Sequence, residues 1–136
     1  MSASASTKNP LLFIHGLWLH AESWKNWIDC FHENGYEANA ASWPGDADTT
    51  KSTRAKPQAV AGYGVSEIAD YIARQIKAFD QKPILIGHSF GGLLAQNLLG
   101  RDLAVAAVAI DPAPIKGVPE LPLSALKATL PVVRNP

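Results

Sequence analysis

The chain is poor in the residues that mark several common protein classes. Cys30 is the only cysteine among 136 residues, so no internal disulfide can staple the fold. No apolar run approaches the roughly 20 residues that a bilayer-spanning helix needs. Residues Met1 to Pro10 are rich in Ser and Ala and lack the apolar segment of a secretion signal. Together these features read as a cytoplasmic protein with no membrane partner. Charge of one sign is missing too: 12 Lys and Arg balance 12 Asp and Glu, and no basic cluster with interleaved aromatics points to nucleic acid. Metal-ligand spacing is absent, because Asp46 and Asp48 stand alone and the histidines are scattered. Gly62 and Gly64 lack the third glycine of a dinucleotide fingerprint, Glu67 standing in its place. No cofactor is expected. Histidine itself is scarce: the chain has His15, His20, His32 and His88, and none later.

What is present is concentrated at Gly87-His88-Ser89-Phe90-Gly91-Gly92, directly after the apolar run Pro83-Ile84-Leu85-Ile86. This spacing predicts a buried strand that turns sharply into a helix with Ser89 at the tip. Glycines two before and two after the serine let strand and helix pass closely. The helix that follows reads Leu93, Leu94, Ala95, Leu98, Leu99 and stops at Gly100. Its free N-terminal N–H groups would lie beside the serine hydroxyl, where an oxyanion could be held.

A second apolar strand, Leu11-Leu12-Phe13-Ile14, runs into His15-Gly16-Leu17-Trp18, and a third ends at Trp43-Pro44-Gly45. This ordered set, from Leu11 to Leu130, resembles the α/β-hydrolase superfamily, its serine-dependent esterases, lipases and perhydrolases in particular. The resemblance implies an α/β fold with a three-layer parallel sheet. It makes Ser89 the nucleophile and the backbone N–H groups of Leu17 and Phe90 the oxyanion hole, with a small acyl or ester substrate. His15, Gly16, Trp18 and His88 then line the site. His15 would order the loop and His88 would pack beneath the turn, while the Trp18 ring could either line an acyl pocket or pack. The haloalkane branch of the family uses a carboxylate at the position Ser89 occupies.

The same resemblance calls for Ser, then Asp or Glu, then His in chain order, since the imidazole takes the serine proton and the acid fixes its tautomer. Asp111, at the end of the apolar strand Ala104–Ile110, is a candidate acid. Asp111-Pro112-Ala113-Pro114 is also strong turn chemistry. No later histidine follows. His20 lies near the loop, but nothing in the sequence brings it within reach of the serine oxygen, and His32 reads as an ordinary surface or core residue. The expectation is an N-terminal part of a hydrolase, its sheet incomplete and its late strands missing, that turns over slowly or not at all by itself.

Strands near Leu11–Ile14, Glu37–Trp43, Pro83–Gly87 and Ala104–Ile110 alternate with helical patterns, the signature of a parallel sheet. Trp24, Trp27, Ile28 and Phe31 recur at helical spacing before Gly35, as do Val65, Ile68, Ala69, Ile72, Ile76 and Phe79 before Asp80. Trp24, Trp27 and Cys30 are read as core. The stretch from Asp46 to Gly64 has no apolar periodicity and reads as a loop bordering the site. The organisation is thus a disordered segment 1–10, a partial hydrolase core 11–114 and, over 115–136, the start of a lid with a short helical pattern at Leu121, Ala125, Leu126 and Leu130. A second reading is non-catalytic: a pseudoenzyme or half-domain that binds a partner or itself through the open edge at Ala104–Ile110 and the tail.

Overall fold

A computed structural model describes residues 8–118 and 123–134 of the chain. Its centre is a parallel sheet of four strands, β1 (Leu11–Ile14), β2 (Ala38–Ala40), β3 (Ile84–His88) and β4 (Ala106–Ile110), in the order β2-β1-β3-β4. In β1 every residue is apolar and buried, as a strand covered on both faces requires. Its register against β3 pairs Leu11 with Ile84 and Ile14 with Gly87. The ends of β1 and β3 therefore lie side by side, and the two loops that follow them meet.

Helices cover both faces. Ala21–Trp24 forms a 3-10 turn that leads into α1 (Lys25–Glu33), and Trp24, Ile28 and Phe31 pack on Phe13 and Ile86. The opposite face carries α3 (Val65–Ile76) and α4 (Phe90–Gly100), where Ile68, Ile72, Ile76, Leu94 and Leu98 close over Leu12, Ile14 and Leu85. The result is the expected three-layer α/β arrangement, with helices on both faces of a parallel sheet. The Glu67 carboxylate accepts the Gly64 N–H at 2.7 Å and caps the start of α3, which is the role of the residue that breaks the dinucleotide pattern.

Several expectations are corrected. The stretch 46–64 is not a plain loop: it holds α2 (Thr50–Arg54) and a 3-10 turn at Pro57–Val60. Polar caps hold α2 in place of an apolar stripe. Thr49 Oγ1 accepts the Ser52 N–H, and the Glu22 carboxylate accepts the Thr50 N–H. The strand expected over Glu37–Trp43 is confined to Ala38–Ala40, and Ser42 bonds the Gln75 side chain of α3 with both its N–H and its carbonyl. Trp24 is buried as expected, whereas Trp27 is half-exposed and Cys30 is exposed on the outer side of α1. In the tail, Leu121 lies outside the described residues and α5 spans Leu123–Arg134. No helix among the described residues is long and apolar enough to cross a membrane.

Candidate active site

The turn after β3 is built by its two glycines. A Cβ on Gly87 would fall 2.1 Å from the Gly91 carbonyl oxygen, and one on Gly91 would fall 2.1 Å from the Ile14 oxygen. Only hydrogen fits at either place, so α4 starts in contact with the ends of β3 and β1. Ser89, between them, has φ 54 and ψ −118, a conformation that costs an L-residue on the order of 1–3 kcal/mol. Four hydrogen bonds hold it there. The Ser89 N–H donates to Ile110 O at 3.0 Å, and its carbonyl accepts from Gly92, Leu93 and Ala113.

The loop after β1 lies directly against this turn. A Cβ on Gly16 would be 3.1 Å from Ser89 Cβ and 3.2 Å from His88 O, which makes the Gly16–Leu17 peptide a neighbour of the serine. The Gly16 carbonyl accepts the Leu19 N–H at 3.3 Å. Among the described residues, no turn, loop or cap carbonyl takes up the N–H of Leu17 or of Phe90, the first residue of α4. Trp18 has φ 60 and is 74% exposed. Beside this loop a cavity of about 540 Å³ is lined by Leu17, Trp18, Trp43, Asp46, Arg54 and Val60 among others. Ser89 is not among its lining residues.

Each histidine has its own place. His15 is buried to 2% exposure, donates from Nδ1 to the Gly16 carbonyl at 2.9 Å, and stacks on Trp43 with ring centroids 4.8 Å apart. Its Nε2 lies 3.4 Å from Asp46 Oδ2. His20 donates from Nε2 to Ala47 O and accepts the Glu22 N–H at Nδ1. His32 donates to Ala38 O on the far side of α1. His88 adjoins a smaller cavity with Leu19, Trp24, Trp27 and Ile110. None of the four hydrogen-bonds Ser89. Asp111 is exposed at the end of β4 with φ 41, and the turn it opens is tied to Ser89 through the Ala113 N–H.

Asp46 is the site residue that sequence reasoning missed. Its Oδ2 accepts the Trp43 N–H at 2.8 Å and closes the turn after β2. Burial acts to raise its pKa, yet the hydrogen bonds from His15 and the Trp43 amide and the charge of His15 hold it below the usual carboxylate value. The signal was an acid directly after Trp43-Pro44-Gly45 at a strand end. Its partner lies 31 positions away and is reached only through the β1–β2 pairing.

No curated protein sequence matches the chain. Among solved structures, an extracellular alpha/beta-hydrolase from a Paenibacillus species is similar at 23% identity and a TM-score of 0.67, covering 91% of this chain and 50% of that one. A monoacylglycerol lipase from Paleococcus ferrophilus is 25% identical with a TM-score of 0.61, covering 93% and 49%. An epoxide hydrolase from Vigna radiata is 22% identical with a TM-score of 0.62, covering 89% and 40%. The chain thus spans half or less of the length of these three structures. The model of the alpha/beta hydrolase family matches residues 11–136, with both loops of the site inside the match. The strained serine turn and the glycine loop packed against it therefore sit in a chain that belongs to the alpha/beta hydrolase family.

Proposed function

We propose that this chain carries the nucleophile-bearing part of a serine hydrolase acting on ester or related acyl bonds. Ser89 Oγ attacks the substrate carbonyl, and the N–H groups of Leu17 and Phe90 receive the oxyanion. The ester oxygen leaves with a proton, and water then releases the acyl group from Ser89. The observation that supports this reading is the close approach of Gly16 to Ser89, with neither the Leu17 nor the Phe90 N–H bonded to a turn, loop or cap carbonyl among the described residues. A hydroxyl at this turn suits acyl transfer, although similar structures include an epoxide hydrolase as well as a lipase.

Among the described residues no histidine hydrogen-bonds Ser89, so a base oriented by an acid is not assembled there. We assign them to residues that complete the site, in keeping with a chain that covers half or less of the three structures named above. The test is the 136-residue chain mixed with p-nitrophenyl acetate, with acetylation followed by intact mass. Slow acetylation is expected, on the order of 10³-fold above the reaction in water, and lost in Ser89→Ala. Undiminished acetylation of Ser89→Ala, or steady turnover at the rate of a complete serine hydrolase, would overturn the reading. Asp111→Asn should leave this rate unchanged, since the carboxylate has no imidazole to orient here.

A second reading rests on the open side at β4, where Val108 and the preceding Val105 are about half exposed. There the chain acts as a half-domain that pairs with a second copy or with a partner supplying the covering elements. The two readings differ in whether the isolated chain acetylates at Ser89.

A further inference from the structure

The cavity beside the loop after β1 has apolar walls and one cation. Leu17, Trp18, Leu19, Pro57 and Val60 supply the walls, and Arg54 is the one Lys or Arg among the lining residues. Arg54 is the last residue of α2, a helix with no buried side chain. Polar bonds hold that helix instead: the Glu22 carboxylate accepts the Thr50 N–H and hydroxyl, and Thr53 Oγ1 accepts the Ala47 N–H at 3.0 Å. Thr50 and Thr53 line the cavity as well, so the bonds that fix α2 also fix the base from which Arg54 reaches it. The guanidinium has no ion-pair partner among the described residues. The carboxylates at or next to the cavity are engaged elsewhere: Asp46 Oδ2 accepts the Trp43 N–H at 2.8 Å, and Glu22 is taken up by Thr50.

We propose that this cavity takes the acyl chain of the substrate and that Arg54 pairs with a carboxylate at the far end of that chain, so that the substrates are monoesters of dicarboxylic acids. This rests on the serine-hydrolase reading above. Gly16 and Leu17 join the two places: both line the cavity, and a Cβ on Gly16 would fall 3.1 Å from Ser89 Cβ. An ester carbonyl set between Ser89 and the Leu17 N–H therefore lies at the edge of the cavity, and one of its two arms enters it. The acyl arm is the one that stays on the serine while water is awaited, so a fixed counter-charge serves it through both steps. A guanidinium fork matches the two oxygens of a carboxylate. One cation with Asp46 and Glu22 close by admits a single negative charge and disfavours a doubly charged phosphate. In the reaction the bond from Ser89 Oγ to the acyl carbon forms, the ester C–O bond breaks and the alcohol leaves with the serine proton, while the far carboxylate is unchanged.

The test uses the full chain and a pair of acyl donors of equal chain length, mono-p-nitrophenyl adipate and p-nitrophenyl hexanoate, with acylation followed by intact mass and each rate divided by that of the ester in buffer. The adipate should react about 5- to 10-fold faster, the gain expected of one Arg–carboxylate pair near the surface. The preference should shrink as salt is raised, vanish in Arg54→Gln and return in part in Arg54→Lys. Equal rates in the wild type, or a preference that Arg54→Gln leaves intact, would overturn the proposal. The Ser89→Ala chain reads the cavity without the chemistry. Monomethyl adipate should shift the indole N–H resonances of Trp18 and Trp43, which line this cavity, and leave those of Trp24 and Trp27, which line the smaller one. Dimethyl adipate, which carries no charge, should shift them less, and equal shifts by the two compounds would also overturn the proposal. Acylation absent from the wild type, or persisting in Ser89→Ala, would instead overturn the nucleophile reading, and the indole resonances would still decide whether the cavity holds a carboxylate.

Discussion

Ser89 and its flanking glycines show how closely local sequence and site geometry can be tied. Gly87 and Gly91 have no room for a methyl group, so Gly91→Ala must push α4 off β1. It should cost about 3 kcal/mol, at the upper end for overpacking, as measured by urea unfolding. Ser89→Gly has the opposite sign, because glycine relaxes the strain at φ 54. A gain of about 1 kcal/mol is expected in the same assay, along with loss of acetylation. Asp46 gives a pH prediction. Its folded pKa is lowered by its hydrogen bonds and by the charge of His15, against the pull of burial. The stability it contributes is therefore fully present above the ordinary carboxylate value and is lost as pH falls through the lower, folded one. An Asp46→Asn chain should accordingly lose less stability than wild type between mildly and strongly acidic pH. The serine turn was legible because all its parts lie within ten residues of sequence. The Asp46–His15 pair was not, since it exists only once β2 is laid beside β1.

At the scale of elements, strands and helices with an apolar stripe were readable and those held by polar bonds were not. Helices α3 and α4 follow their apolar spacing, α3 ending three residues before Phe79 and α4 stopping at Gly100 as expected. By contrast α2 is anchored by Glu22, which lies 28 positions away and bonds the Thr50 amide and hydroxyl. Those bonds, the hydroxyl's foremost, hold the Glu22 carboxyl below its usual pKa. Glu22→Gln weakens the anchor without touching the core. Amides 50–54 should then exchange with deuterium faster, while the unfolding midpoint of the whole domain stays where it was. The exposed Cys30 has a similar lesson. The outer side of α1 carries no covering element, and a helix stripe alone does not say how wide its covered face will be.

For the molecule as a whole, the layer order and the parallel sheet followed from alternating strand and helix patterns, and the family match over residues 11–136 agrees. The open side lies where the missing late strands led us to expect it, at β4, the last strand in the sheet order. Val108 in β4 and Val105 just before it are half exposed, where β1 is buried throughout, and Ile115, Val118 and Leu123 add further exposed apolar surface. Such a face favours association. Sedimentation velocity of the 136-residue chain should show a weight-average mass that rises with concentration, and Val108→Lys should return it toward the monomer. A concentration-independent monomer in the wild type would argue against the half-domain reading.

The four bonds that fix the backbone of Ser89 come from β4, α4 and the turn after Ile110, and all of them form within this part of the chain. The backbone pose of Ser89 is thus reached when the domain folds. Under the proposed serine-hydrolase function, a group that approached the Ser89 hydroxyl would meet a preorganised surface, and little of its binding free energy would be consumed in reshaping the serine.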